Sequence, residues 1–496
     1  MPYRRFRASV RRIIALTART AGTADPVNHL SKRNYEKMPA TTSTEATTAA
    51  AQTTADSTAH SLRYAWYVVG VLTLLYAFSF IDRQIFSLLV GPLRRDLHIG
   101  DAKMSLLIGF SFALFYTFFG IPLGRLADIY SRRLIIAAGL ALWSGFTASC
   151  GLAQTFEIML LLRMGVGVGE AALSPAAYSL ITDYFPRERL ATALSVYSMG
   201  IYVGSGMAYL LGGLVVAYAS TQAMWTIPLL GAVHPWQIIF LLVGLPGIAV
   251  APLLFTVSEP AVHRGASRRS TVPMRQVFSY IFENRRTFLL HNTGFGLLAL
   301  SSYASAAWVP EFYRRHFHWS IGTTGVIYGS CVAVFGCIGI VSAGRFADYL
   351  RKHGRGNATL FVGMLIGLVW LPVNCLLYLA PSATWATIWL VPGCALAAAP
   401  FGIAPAAIQQ MMPATMRGQA SAVYLFSVNL IGLGIGPTAV GALTQYAFRS
   451  DEAVRYSLVI VTSVACALAA VILYGALKPF VASLERVRVW NAAHSG

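Results

Sequence analysis

Gly124-Arg125-Leu126-Ala127-Asp128, followed by Arg132 and Arg133, returns as Gly344-Arg345-Phe346-Ala347-Asp348, followed by Arg351 and Lys352. The copies stand 220 residues apart (344 minus 124), and each separates two long apolar runs. A second echo keeps the same register. Pro186 to Tyr197 ends in Ala-Leu-Ser-Val-Tyr, Pro413 to Tyr424 ends in Ala-Ser-Ala-Val-Tyr, and both lead into glycine-rich runs. Two motifs repeated in step with a series of apolar runs mark a duplicated membrane bundle.

Composition agrees. The 496 residues are 56% hydrophobic and 11% charged, far below the roughly 25% charge of a soluble domain. A net charge of +19 would suggest nucleic acid in a soluble protein, but here the basic residues gather in short connections between apolar runs. That is the pattern of membrane topology, and no nucleic-acid partner is expected. The six cysteines lie in or beside apolar runs without a CxxC pair, so they read as packing thiols.

A span needs about 20 apolar residues. Twelve runs qualify: 65–91, 103–124, 133–153, 157–182, 190–217 and 236–256, then 287–311, 321–344, 358–380, 384–410, 418–447 and 454–477. Arginine and lysine concentrate in 125–132, 183–189, 257–286, 345–357 and 411–417, which places these connections and both termini in the cytoplasm. Arg314 and Arg315 run against that bias. The predicted fold is an all-α membrane protein of twelve transmembrane helices in two pseudo-symmetric six-helix bundles. Its parts are a disordered basic and Ala/Thr-rich tail (1–62), a first bundle (63–256), a cytoplasmic linker (257–286), a second bundle (287–480) and a cytoplasmic tail (481–496). Arg4 to Arg19 fit either a targeting peptide or a surface helix, and Met38 is an alternative start.

The repeated loops have readable chemistry. Their glycines allow close helix packing, and their acids can cap a helix or pair with arginine in one state and release it in another. Gly124, Arg125, Asp128, Arg132, Arg133, Gly344, Arg345 and Asp348 are therefore the candidate gating loops; the plainer alternative is a basic anchor with a helix cap.

Charges inside spans are costly, about 2.5–3.5 kcal/mol each on insertion scales. Asp82 and Arg83 fall deep in span one, and Arg163 and Glu170 lie seven residues apart in span four, on one helical face. We read these four as a proton-coupling and substrate network in which either arginine pairs with either acid, the alternative being a static buried pair. Glu170 is the candidate proton carrier, because burial favours the neutral acid and a nearby arginine the ionised one. Gly165, Gly167 and Gly169, and Gly200, Gly204 and Gly206, read as packing faces. Asn292, Gln409, Gln410, Asn429 and several tyrosines, Tyr303 among them, are weaker cavity candidates.

The stretch Gly124 to Arg133, GRLADIYSRR, resembles the signature loop of the major facilitator superfamily, departing at Ile129 and Ser131. Ile81-Asp82-Arg83, His98-Ile99-Gly100-Asp101, Leu162 to Ala171 and Val203-Gly204-Ser205-Gly206 are similar to its Spinster branch. The resemblance covers 64–480. It implies alternating access, a central cavity holding the span-one Asp-Arg and the span-four Glu, and an anionic or amphipathic substrate such as a lysolipid. A proton symporter of small organic acids stands as the alternative, and a channel or receptor as the alternative of another class. No HExxH, no GxSxG after a strand and no Walker lysine occurs, so no enzyme is expected. Neither a cofactor nor a metal is expected. The expected partners are a small-molecule substrate, protons and the lipid bilayer, and the expected state is a monomer in a bacterial inner membrane.

Overall fold

The computed structural model describes residues 43–185, 187–227, 231–259 and 273–493. The chain divides into two units at Ala59 and His60. In the first, residues 43–59 are helical; residues 1–42, most of the expected tail, lie outside the described residues. The second unit carries everything below.

Along the chain come α1 (Leu62–Leu88), α2 (Val90–Asp96), α3 (Asp101–Ala127), α4 (Arg132–Cys150), α5 (Phe156–Glu170), α6 (Leu173–Tyr184) and α7 (Arg187–Ala219). A hairpin follows, β1 (Trp225–Ile227) with β2 (Gly231–Val233), antiparallel with Trp225 opposite Val233. It decorates a connection of an otherwise helical fold. Next are α8 (Pro235–Thr256), α9 (Met274–Glu283), α10 (Arg285–Phe317) and α11 (Ile321–Lys352). The chain ends with α12 (Ala358–Tyr378), α13 (Ala383–Met411), α14 (Arg417–Phe448) and α15 (Asp451–Ala492).

Ten of these helices, among the described residues, are long and apolar enough to cross a membrane; the sequence predicts twelve. The remaining two runs are helical as well. The run 157–182 is divided into α5 and α6 at Ala171 and Ala172. The cause is local: the ring of Pro175 opposes the carbonyl four residues earlier, that of Ala171. The run 287–311 lies in α10, whose 33 residues are ample in length but diluted by His291, Asn292 and serines. Those polar groups turn into protein: His291, Ser301 and Ser302 are buried. Pro392 and Pro405 sit inside helix, whereas α13 is interrupted at Ala399 and Pro400 opens its second piece, Pro400–Met411; neighbouring helices can satisfy the freed backbone groups. Helix α15 runs on through 481–492, the stretch predicted to be a tail; Ser483 and Val487, one turn apart, are buried.

Among the described residues, buried apolar side chains form three groups. One joins both halves, combining Ile85 to Met159, Tyr209 and Trp236 with Ala304 to Cys394 and Val440 to Leu458. A second belongs to the C-terminal half, from Val277 to Val487. The third belongs to the N-terminal half, from Ala65 to Val257, with Leu433 added. The halves thus share a core at one end and keep separate cores at the other, the end that carries the basic connections.

Close approach makes the shared end possible. Helix α7 lies on α11 at Gly213 and Gly325; a methyl group on Gly325 would meet the Tyr209 carbonyl and lie 2.8 Å from the Gly213 Cα. Within the first half, Gly169 lets α5 approach α4, where an added Cβ would stand 2.7 Å from the Trp143 nitrogen. Helix α3 meets α14 through the Ala102 N–H, which donates to Gln445 Oε1 at 2.8 Å.

Candidate functional site

Helix periodicity puts Ser79 and Arg83 on one face of α1, with Asp82 beside them. The Arg83 guanidinium reaches Glu170 of α5, with Nη2 at 2.6 Å and Nε at 2.7 Å from Oε2. Ser79 donates to the same oxygen at 2.6 Å. The arginine also stacks on Phe80, Phe112 and Tyr116 at 4.8, 4.6 and 4.8 Å from the ring centres. Stacking and a carboxylate together suit the planar, weakly hydrated guanidinium.

Asp82 and Arg163 are buried nearby but follow separate courses. Asp82 Oδ2 accepts from Thr147 Oγ1 at 3.1 Å. Arg163 lies over Phe86 at 4.1 Å, and its Nε donates to the Leu107 carbonyl at 3.2 Å. Leu107 belongs to a π-helical turn, Leu106–Phe110, and such widened turns recur at functional sites. Of the two arginines predicted to pair with either acid, Arg83 is paired, with Glu170. Three buried polar atoms of the cluster, Asp82 Oδ1, Arg163 Nη2 and Glu170 Oε1, have no hydrogen-bond partner. Orphans of this kind cost stability.

Beside the cluster lies a cavity reached by residues of both halves. Phe80, which stacks on Arg83, is in its wall with Gln84, Tyr202 and Tyr209; Tyr303, Trp370 and Tyr378 come from the other half. The lining is aromatic and hydroxylated, without a charged side chain. Of the weaker polar candidates, Tyr303 lines this cavity and Asn292 a second one near the basic end.

The repeated loops differ. Arg132 is fully buried. Its Nη1 bonds Asp183 Oδ2 at 2.7 Å and its Nε bonds Glu259 Oε1 at 2.9 Å. Ser131 donates to Glu259 Oε2 at 2.8 Å, and Arg133 Nη1 to the Val257 carbonyl at 3.3 Å. Burial works against the ionised Glu259, yet the bonds from Arg132 and Ser131 prevail and hold its pKa below the ordinary value. Gly124 packs near Pro175, with an added Cβ 3.5 Å away, and Arg125 is exposed. The Asp128 side chain lies outside the described residues. In the second copy Gly344 has open space, Arg345 is exposed, and Asp348 pairs with Arg351 at 2.9 Å on the surface. The duplicated sequence thus forms a buried clasp once and a surface pair once.

The structure adds a network at the shared end. Arg315 of α10 donates to Asp101 of α3 at 2.7 and 2.8 Å and to Glu311 at 2.7 Å. Arg94 bonds Asp451 at 2.8 Å and stands 3.2 Å from Asp101; Arg314 bonds Glu311 at 2.7 Å. This accounts for Arg314 and Arg315, the residues that break the charge bias: each is neutralised by an acid. That violation, with Glu311 one turn upstream, was the available sequence signal.

Comparison with known proteins agrees with this helical membrane fold. The family model described as Major Facilitator Superfamily matches residues 72–437. The chain is similar to an MFS-type efflux pump of Mycolicibacterium smegmatis, 29% identical over 387 residues, 78% of this chain and 86% of that one. It is similar to protein spinster homolog 1 of Xenopus tropicalis, 27% identical over 407 residues, 78% and 74% of the two chains. A crystal structure of a bacterial homolog to the human lysosomal transporter Spinster, inward-facing and unoccupied, superposes with a TM-score of 0.71 at 28% identity, covering 85% of this chain and 98% of that one. The chain therefore belongs to the major facilitator superfamily, as a secondary transporter and integral multi-pass membrane protein homologous to the Spinster proteins.

Proposed function

We propose that the chain is a proton-coupled, alternating-access carrier of an anionic amphiphile such as a lysolipid. The observation that carries this is the Arg83–Glu170 pair beside an uncharged aromatic cavity. While Glu170 is ionised it holds Arg83. A proton on Glu170 neutralises the acid and leaves the guanidinium for the head group of an anion, while the aromatic wall takes an apolar body. Asp82 and Arg163 lie close enough to tune that exchange.

The same reading takes the helices as twelve spans in two six-helix bundles, bounded as the sequence predicts, with both termini and the linker cytoplasmic. The separate cores at the basic end and the shared core at the other support it. On this reading the chain works as a monomer in a bacterial inner membrane, and the form described is closed outside. The Arg132 clasp steadies the first bundle on the linker, and the network around Arg315 seals the outer end.

Proteoliposomes test the proposal. A pH gradient should accelerate lysophospholipid flux, and Glu170→Gln should leave exchange without the pH response. Full pH-driven transport by Glu170→Gln would remove the coupling role. Gradient-driven uptake of a small organic acid in place of lysolipid would reassign the substrate, and an ohmic current would replace the carrier by a channel.

A further inference from the structure

The cavity near the basic end is separate from the site above. It opens between α9, α10 and α14. Arg275, Phe278, Phe282, Arg285 and Leu289 line it. Their spacing of three, four, three and four residues makes one stripe along α9 and into α10. All five are exposed, with Phe282 at 67% and Leu289 at 69%. The opposite face of α9 is anchored: Val277 and Tyr280 are buried, and Tyr280 donates to the Met411 carbonyl at 3.4 Å. The stripe is therefore held rigidly outward. Phenylalanines at such exposure beside two arginines do not suit water alone. They suit the boundary between head groups and acyl chains. Neither Arg275 nor Arg285 is ion-paired to a described acid; Arg285 rests over Phe282 at 4.9 Å and donates to its carbonyl.

We infer that this cavity is a docking site for an anionic phospholipid, its phosphate on Arg275 and Arg285 and a chain along Phe278, Phe282 and Leu289. Positive charge and apolar surface in one stripe are complementary to that class of molecule. The inference goes beyond the transport proposal and depends on its topology only for the leaflet, the cytoplasmic one. It stands or falls independently of proton coupling, since the readout is retained lipid.

The test is native mass spectrometry of the full chain released from nanodiscs of equal phosphatidylglycerol and phosphatidylcholine. Phosphatidylglycerol should be retained preferentially. Arg275→Gln with Arg285→Gln should reduce that preference roughly thirtyfold, taking the usual attraction of two arginines to an anionic surface. Lys352→Gln with Arg355→Gln, equal in charge and exposed at the end of α11, should keep it. Phe278→Ser with Phe282→Ser should shorten retention while leaving the head-group preference. Equal retention of both lipids, equal loss in the charge-matched control, or displacement by glycerol 3-phosphate alone would overturn the site. A melting temperature unchanged by the two arginine substitutions separates lost binding from misfolding.

Discussion

Replacing Arg315 by glutamine should open the outer end. Its two bonds to Asp101 join the halves across 214 residues of sequence. A hydrogen bond to a charged group contributes about 1.5–3 kcal/mol, so the pair sums to roughly 3–6 kcal/mol. Two neighbours soften the loss. Asp101 keeps Arg94 at 3.2 Å, and Glu311 keeps Arg314 at 2.7 Å. The lower end, about 3 kcal/mol, is the working figure, consistent with breaking a buried pair by removing one partner. It corresponds to roughly a hundredfold shift in the closed-to-open ratio. Spin labels at Arg95→Cys and Glu452→Cys, both exposed at this end, report the separation by pulsed dipolar spectroscopy. Arg315→Gln should add a long-distance population. Asp101→Asn should do the same, and the double variant should show less than the sum, because the two changes remove one interaction. An unchanged distance distribution in Arg315→Gln would refute the reasoning.

The two loop copies should respond unequally. Arg132→Ala takes the guanidinium from Asp183 and Glu259 and should cost about 3–5 kcal/mol, read by thermal melting in detergent; Arg351→Ala should cost under about 1 kcal/mol, its partner being solvated. Because Glu259 has a depressed pKa when folded, its contribution is complete above the unfolded carboxylate range and is lost as pH falls through the folded value. Melting temperature should therefore drop in acid, and Glu259→Gln should flatten that part of the profile. Gly325→Ala should separate α7 from α11 and make the outer end reactive to membrane-impermeant labels; an unreactive outer end would show that the contact relaxes freely.

Hydropathy carries most of the fold, since a bilayer leaves few ways to satisfy a backbone. The division of span four was visible in Pro175, but a continuous apolar run conceals it. Arg83 and Glu170 were legible because a charge in a span demands a partner. The lack of an acid on Arg163 was not. Its direction depends on the widened turn at Leu106–Phe110, which composition does not reveal. The bond between Arg315 and Asp101 was out of reach of local pattern, since only tertiary packing sets two helices side by side. Sequence identity also overstated the likeness of the two loops: Glu259 and Asp183, which make the first a clasp, stand outside the repeated residues.

The tie between Asp101 and Arg315 has a further consequence for biosynthesis. The acid leaves the ribosome 214 residues before its guanidinium, a delay of about 10–40 s at ordinary elongation rates. During that interval the N-terminal half enters the bilayer with Arg94 as an ion-pair partner for Asp101. That arginine is a temporary counter-ion before it is a seal. On the proposed topology the arginines of α10 arrive on the side where insertion disfavours them, carrying Glu311 and meeting an acid already in place.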